Sequence, residues 1–141
     1  MKTATKLLFT ALAISAAQAS FSQVAVVVGA KSPATALTAE QAAGIFLGKS
    51  DQLPGAGTAQ LLDQTEGSAI RELFYTKVAG KSGSQVKAAW SRLVFSGKAT
   101  PPKEVASSAE VKKLVAANPN AVGYIEKSAV DGSVKVLLSE D

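Results

Sequence analysis

Leu61-Leu62-Asp63-Gln64-Thr65-Glu66-Gly67-Ser68-Ala69-Ile70-Arg71-Glu72-Leu73-Phe74 passes from a short apolar run, through a polar turn with one glycine, into helical spacing. Ile70, Leu73, Phe74 and Val78 fall at i, i+3, i+4 and i+8, one stripe of a helix. A strand feeding a helix through so small a turn leaves backbone N–H groups unpaired where the helix begins. Those donors and the helix dipole together suit an anion. Gly67 and Ala69 flank Ser68 with little bulk, so a ligand can approach the backbone, and the Ser68 hydroxyl adds a donor. The plain alternative is a strand–turn–helix whose first turn meets water.

Upstream, the β-branched run from Gln23 to Ala30 reads as a strand buried on both faces in the middle of an α/β sheet. Thr38 with Gln41 forms a capping-box pattern, Leu37 is placed as a staple, and Gly48 suits the end of that helix. Pro54-Gly55-Ala56-Gly57 is a loop leading to a second strand near Ala59–Gln64. The central helix, Ser68 to Val78, ends at Gly80. Ser82 and Gln85 repeat the capping box before a helix with Val86, Ala89, Trp90, Leu93 and Val94 on one face, closed by Gly97. Trp90 on that stripe reads as core.

Pro101-Pro102 marks a stiff connector, and Ser107 with Glu110 caps a further helix that Asn118-Pro119 ends. Val122–Ile125 and Val134–Leu138 are short strands, with Asp131-Gly132 between them as a hairpin signal. The fold class is therefore α/β, a three-layer-like arrangement with about four strands in a mixed sheet covered by helices.

The N-terminus reads differently from the rest. Lys2 and Lys6 precede an apolar run from Leu7 to Ala17, and Ala17-Gln18-Ala19 matches a cleavage site. Residues 1–19 are thus expected to be a secretory signal peptide, too short to span a bilayer, and residues 20–141 a single domain. The formal charge falls from +4 to +2 once Lys2 and Lys6 leave. No later apolar run is long enough for a membrane span, and export with mild charge argues against nucleic acid. With no Cys and no His, disulfides, thiolate and imidazole metal sites, and Ser-His or Cys-His nucleophiles are excluded. A cysteine-free exported domain suits a bacterial periplasm.

Three motifs fall short of a chemistry. Gly44-Ile45-Phe46-Leu47-Gly48-Lys49-Ser50 resembles a P-loop, but it has three residues between its glycines where four are needed, and it closes a helix instead of opening one. Ser84-Gln85-Val86-Lys87 matches Ser-x-x-Lys without its partner motifs, so Ser84 reads as a helix-start residue and Lys87 as solvated. Asp63 and Glu66 are a carboxylate pair by spacing, yet a helix-start role for one of them, worth about 0.3–1 kcal/mol, is the simpler reading. The reading is a non-enzyme with no catalytic residue, metal or cofactor.

Taken together, three stretches resemble the phosphate-type periplasmic solute-binding proteins of ABC transporters: Leu37–Lys49, Gly67–Arg71 with Phe74, and Asn118–Ile125. The second is in register with that family's Gly-Ser-Gly-Thr turn. The similarity spans nearly the whole of 20–141 and corresponds to a single lobe, whereas such proteins have two lobes that close on the ligand about a hinge. The resemblance implies a phosphate or other small-oxyanion site at Gln64, Gly67, Ser68, Ala69, Ile70 and Arg71. Ser68 keeps its place, Ala69 and Ile70 replace a Gly and the ligand Thr, and Gln64 stands where the family often has an Arg. Arg71 compensates only if it folds back.

Two or three charge-assisted hydrogen bonds give about 3–8 kcal/mol gross. Association costs about 4–15 kcal/mol. A lone lobe is therefore expected to hold phosphate weakly, with tighter binding requiring a second copy or a periplasmic partner protein to supply the missing lobe. The rival expectation is a periplasmic protein-interaction or sensor-accessory domain that has lost its ligand.

Overall fold

A computed structural model describes residues 23–141. The signal-peptide expectation for residues 1–19 lies outside them. Strand β1 (Val24–Gly29) is buried along its whole length. Its side chains alternate between two cores, Val24, Val26 and Val28 to one and Ala25 and Val27 to the other. That period of two across a continuous apolar run marks a strand covered on both faces.

The elements that follow are α1 (Ala39–Phe46), a short hairpin of β2 (Gln52–Leu53) and β3 (Gly57–Thr58), β4 (Gln60–Gln64), α2 (Ala69–Phe74) running into a π turn (Tyr75–Ala79), α3 (Gly83–Phe95), β5 (Lys103–Val105), α4 (Ser108–Ala117), β6 (Ala121–Glu126) and β7 (Val134–Glu140). The main sheet has five strands in the order β5-β4-β6-β1-β7. β4 runs parallel to β5 and β6, while β1 is antiparallel to both β6 and β7. α1, α2 and α3 supply the core on one face, and α4 covers the other through Val111 and Val115. The fold is thus α/β with three layers, one strand richer than the sequence indicated. The extra strand, β5, is only Lys-Glu-Val, too short and too polar to show a period.

The Asp131-Gly132 hairpin is corrected. β6 and β7 are not neighbours, because β1 lies between them. The chain crosses back over residues 127–133, and β7 finds its ladder on β1, from Gly29↔Val134 to Val24↔Glu140. The residues at 131–133 do turn the chain, but β1 occupies the edge of β6 and itself offers the open edge on which β7 pairs.

Local signals set the helix starts. Gln41 N–H donates to Thr38 Oγ1 at 3.0 Å while Gln41 Oε1 accepts from Thr38 N–H at 2.9 Å, and Ser82 with Gln85 repeats the pattern. Trp90 is buried and its indole N–H donates to the Phe46 carbonyl at 2.8 Å, tying α3 to the end of α1. α4 lies close on the sheet because two glycines let it. A Cβ on Gly29 would stand 2.2 Å from the Val115 carbonyl oxygen, and one on Gly123 would stand 2.6 Å from Val111 Cγ1.

Candidate functional site

β4 ends at Gln64, and the turn 65–68 delivers the chain to α2 beside the C-terminal end of that strand. Open α/β sheets bind ligands at such strand ends. Gly67 takes a left-handed conformation, φ +86°, which a side chain would strain. Ser68 is the N-cap residue, but its side chain makes no capping bond. Its hydroxyl oxygen is buried and has no partner among the described residues.

Some of the turn's amides are occupied by the protein itself. Glu66 N–H donates to the Glu104 carboxylate at 3.2 Å and Ser68 N–H to the Thr65 carbonyl at 3.0 Å. The first amide to join the helix ladder is that of Glu72, donating to the Ser68 carbonyl. Among the described residues, the N–H groups of Gly67, Ala69, Ile70 and Arg71 donate to nothing. The unpaired donors expected from the sequence are therefore those of α2's first turn and of Gly67, with Glu66 excluded.

Arg71 turns toward the sheet. Its guanidinium runs under the helix to Asp63 on β4, with Nε 3.4 Å from Asp63 Oδ2 and both side chains about nine-tenths buried. The Tyr75 ring lies beneath it, its centroid 5.2 Å from Arg71 Cζ. Asp63 is fully engaged. Its Oδ2 also accepts from the Tyr75 hydroxyl at 2.8 Å, and its Oδ1 accepts from the Tyr124 hydroxyl and from Gln64 N–H, the latter at 2.9 Å. Arg71 Nη1 is buried and has no partner among the described residues.

These contacts fix the protonation states. Burial pushes the Tyr75 and Tyr124 phenols well above the usual tyrosine range, and the Asp63 charge pushes them further. Burial is the largest single influence and lowers the Arg71 pKa, but the Asp63 charge and hydrogen bond together with Tyr75 and Tyr124 outweigh it, and the net direction is up. Two neutral phenols and one guanidinium thus surround one carboxylate. Phe74 stacks on Tyr124 with ring centroids 4.0 Å apart and 7° between planes, holding the tyrosine in place.

The expected site residues separate into groups. Ser68 and Arg71 each carry a buried polar atom with no partner among the described residues. Gly67 and Ala69 are exposed, while Ile70 is buried in the core beside Phe74. Gln64 is buried with its amide turned along the sheet, Nε2 donating to the Tyr124 carbonyl at 2.9 Å and to Ser108 Oγ at 3.1 Å. Gln64 and Arg71 nevertheless border one cavity of about 420 Å³, together with Asp63, Glu66, Lys87 and Glu104. Glu66 is spent on Lys87 at 3.2 Å, which leaves Glu104 without a cationic partner among the described residues. Val94 and Phe95 form the apolar rim, and Phe95 is 97% exposed.

Sequence reasoning missed Tyr75 and Tyr124. A regular helix with Phe74 inward would turn Tyr75 aside by a quarter turn. The π turn that begins at Tyr75, with Lys81 N–H reaching the Tyr75 carbonyl, lets both rings face inward. The adjacent aromatic pair Phe74-Tyr75 was the available signal. Among the described residues no group of acidic side chains is placed to hold a metal ion, and no helix is long and apolar enough to cross a membrane.

Comparison with known proteins follows the same lines. No protein-family model and no curated protein matches the chain. Among solved structures, it is similar to one described as a phosphate ABC transporter substrate-binding protein with bound phosphate from Clostridium perfringens, at 25% identity and a TM-score of 0.65 over 83% of this chain and 45% of that one. An ABC-type phosphate transport receptor from Vibrio cholerae matches at 26% identity and a TM-score of 0.65, over 83% of this chain and 53% of that one. PstS from Borrelia burgdorferi, at 15% identity and a TM-score of 0.53 over 81% and 46%, shares the fold. These neighbours are transport receptors, not enzymes, and the chain spans about half the length of each. The protein therefore resembles a single lobe of the phosphate-type substrate-binding proteins of ABC transporters.

Proposed function

We propose that the protein is an exported, non-enzymatic binding module that takes phosphate or another small oxyanion at the start of α2 and serves ABC-type phosphate uptake or sensing. Residues 1–19 are its signal peptide, cleavage follows Ala19, and residues 20–141 act in the periplasm as one domain. The observation that carries the reading is the buried Ser68 Oγ, without a partner among the described residues, at a helix start whose Ala69, Ile70 and Arg71 amides are free. A buried donor without a partner costs about 1–3 kcal/mol, which an anion would recover. The similarity to a receptor described with bound phosphate supports the choice of ligand.

In this reading Gly67 and Ala69 allow close approach, Ser68 donates its hydroxyl, and Ile70 contributes only its amide. Arg71 supplies positive charge, and Gln64 shapes the cavity wall. Affinity is weak, on the order of millimolar, because Asp63 already neutralises Arg71 and Glu104 faces the same cavity. Calorimetry with phosphate, sulfate and acetate tests it. Phosphate heat that disappears in Ser68→Ala supports the proposal; no heat at about ten millimolar phosphate refutes it.

Phe95 favours a second reading. A fully exposed phenylalanine beside Val94 at the cavity rim suits contact with a periplasmic protein or a second copy supplying the missing lobe. A ligand-free domain that captures a periplasmic partner through Phe95, losing it in Phe95→Asp, would establish that alternative.

A further inference from the structure

At the other end of β4 from Asp63 lies a larger cleft, about 980 Å³. Its walls are the turn closing α1, the first residues of β4, the connector from α3 to β5, and the turn from α4 to β6. Three lysines line it, Lys49, Lys98 and Lys103, all exposed and none in an ion pair among the described residues. Asp51 is the single acid on its walls. The cleft thus carries +2. The whole chain carries +4 with Lys2 and Lys6 preceding the described part, so residues 23–141 also carry +2. The excess positive charge of the described chain is as large as that of this one cleft.

We propose that this cleft binds a linear inorganic oligophosphate. A cavity near 1,000 Å³ is at the upper end of small-ligand sites, far larger than one tetrahedral anion needs. Ammonium groups act as point charges with rotatable donors, suited to oxygens spread along a chain and not to bidentate pairing with one group. Thr58 and Thr100 add hydroxyls. One wall is tied together, since Asn118 Nδ2 donates to Gln60 Oε1 and Asn118 Oδ1 accepts from Asn120 N–H at 2.9 Å. A nucleotide is disfavoured because the one aromatic on the walls, Trp90, is buried with its indole N–H committed to Phe46, leaving no face for a base.

The site is separate from the α2 start and does not depend on orthophosphate binding there. Its test is titration of the purified protein with sodium tripolyphosphate, read by calorimetry and by the fluorescence of Trp90. Binding is expected to weaken as salt is raised from about 0.05 to 0.3 M. The combined Lys49→Ala, Lys98→Ala and Lys103→Ala variant is expected to lose at least about tenfold in affinity, with its circular dichroism unchanged because all three side chains are exposed. Lys113→Ala, at an exposed position of α4 away from the cleft, is expected to bind like the parent. Tripolyphosphate binding that is absent at about millimolar concentration, or undiminished in the triple variant, overturns the proposal. ATP binding more tightly than tripolyphosphate overturns the choice of ligand.

Discussion

Replacing Asp63 by Asn leaves the shape of the buried cluster almost intact and removes its charge. Arg71 then keeps a guanidinium about nine-tenths buried with no counter-ion, its side chain only 8% exposed. Uncoupling one member of a buried ion pair costs about 3–5 kcal/mol. The two tyrosine hydroxyls and the Gln64 N–H compound the loss, since all three donate to the Asp63 carboxylate and the new amide offers one acceptor oxygen where there were two. Against a total stability of roughly 5–15 kcal/mol for such a domain, Asp63→Asn should leave the fold marginal. Urea denaturation followed by Trp90 fluorescence and circular dichroism measures it, with an unchanged m-value as the sign that the native and unfolded states stay comparable. Asp63→Asn with Arg71→Met should recover at least about 2 kcal/mol, because the second change removes the stranded charge. A loss below about 1 kcal/mol for Asp63→Asn, or no recovery in the double variant, would refute the assignment of this cluster as the electrostatic anchor between β4 and α2.

Other outcomes follow from the same geometry. Ser68→Ala should stabilise the ligand-free protein by up to about 1–3 kcal/mol, since it removes a buried hydroxyl that neither caps the helix nor meets a partner among the described residues, while weakening phosphate binding in calorimetry. Glu104→Gln should strengthen phosphate binding a few-fold by removing an unpaired negative charge from the cavity. Gly29→Ala should destabilise by about 1–3 kcal/mol in denaturant titration, because the new methyl meets the Val115 carbonyl and α4 must lift from the sheet. Folded Tyr75 and Tyr124 hold pKa values above the unfolded value near 10, so their contribution is complete below about pH 10 and is lost as pH rises beyond it. Alkaline unfolding should steepen by up to about 2.7 kcal/mol per pH unit for the two phenols, and Tyr75→Phe should remove about half of that slope.

Much of the architecture was legible because it rests on local rules. The continuous β-branched run of β1 and the two reciprocal capping boxes each announce their element within a few residues. The family resemblance likewise lay in short stretches, above all Gly67–Arg71. What stayed hidden was non-local. β7 pairs with β1 through a ladder more than a hundred residues apart in sequence, which a turn signal at Asp131-Gly132 cannot reveal. β5 is a strand because β4 offers it an edge, not because Lys-Glu-Val favours one. At the candidate site, the unpaired amides followed from helix geometry alone, but the fate of Arg71 depended on where Asp63, Tyr75 and Tyr124 would stand. Asp63 read as one of a carboxylate pair with Glu66, with a helix-start role for one of them as the simpler reading. Strand alternation in fact points it inward, and the π turn brings Tyr75 to it.

In the proposed function, the free amides at the start of α2, with Ser68 and Arg71, receive an oxyanion. Phosphate titrated into the ¹⁵N-labelled protein tests this most directly, with the backbone amides of Ala69, Ile70 and Arg71 followed individually. Saturable shifts confined to those residues and their immediate neighbours, lost in Ser68→Ala, are the predicted result. Shifts that leave Ala69, Ile70 and Arg71 unmoved up to about ten millimolar phosphate would contradict it.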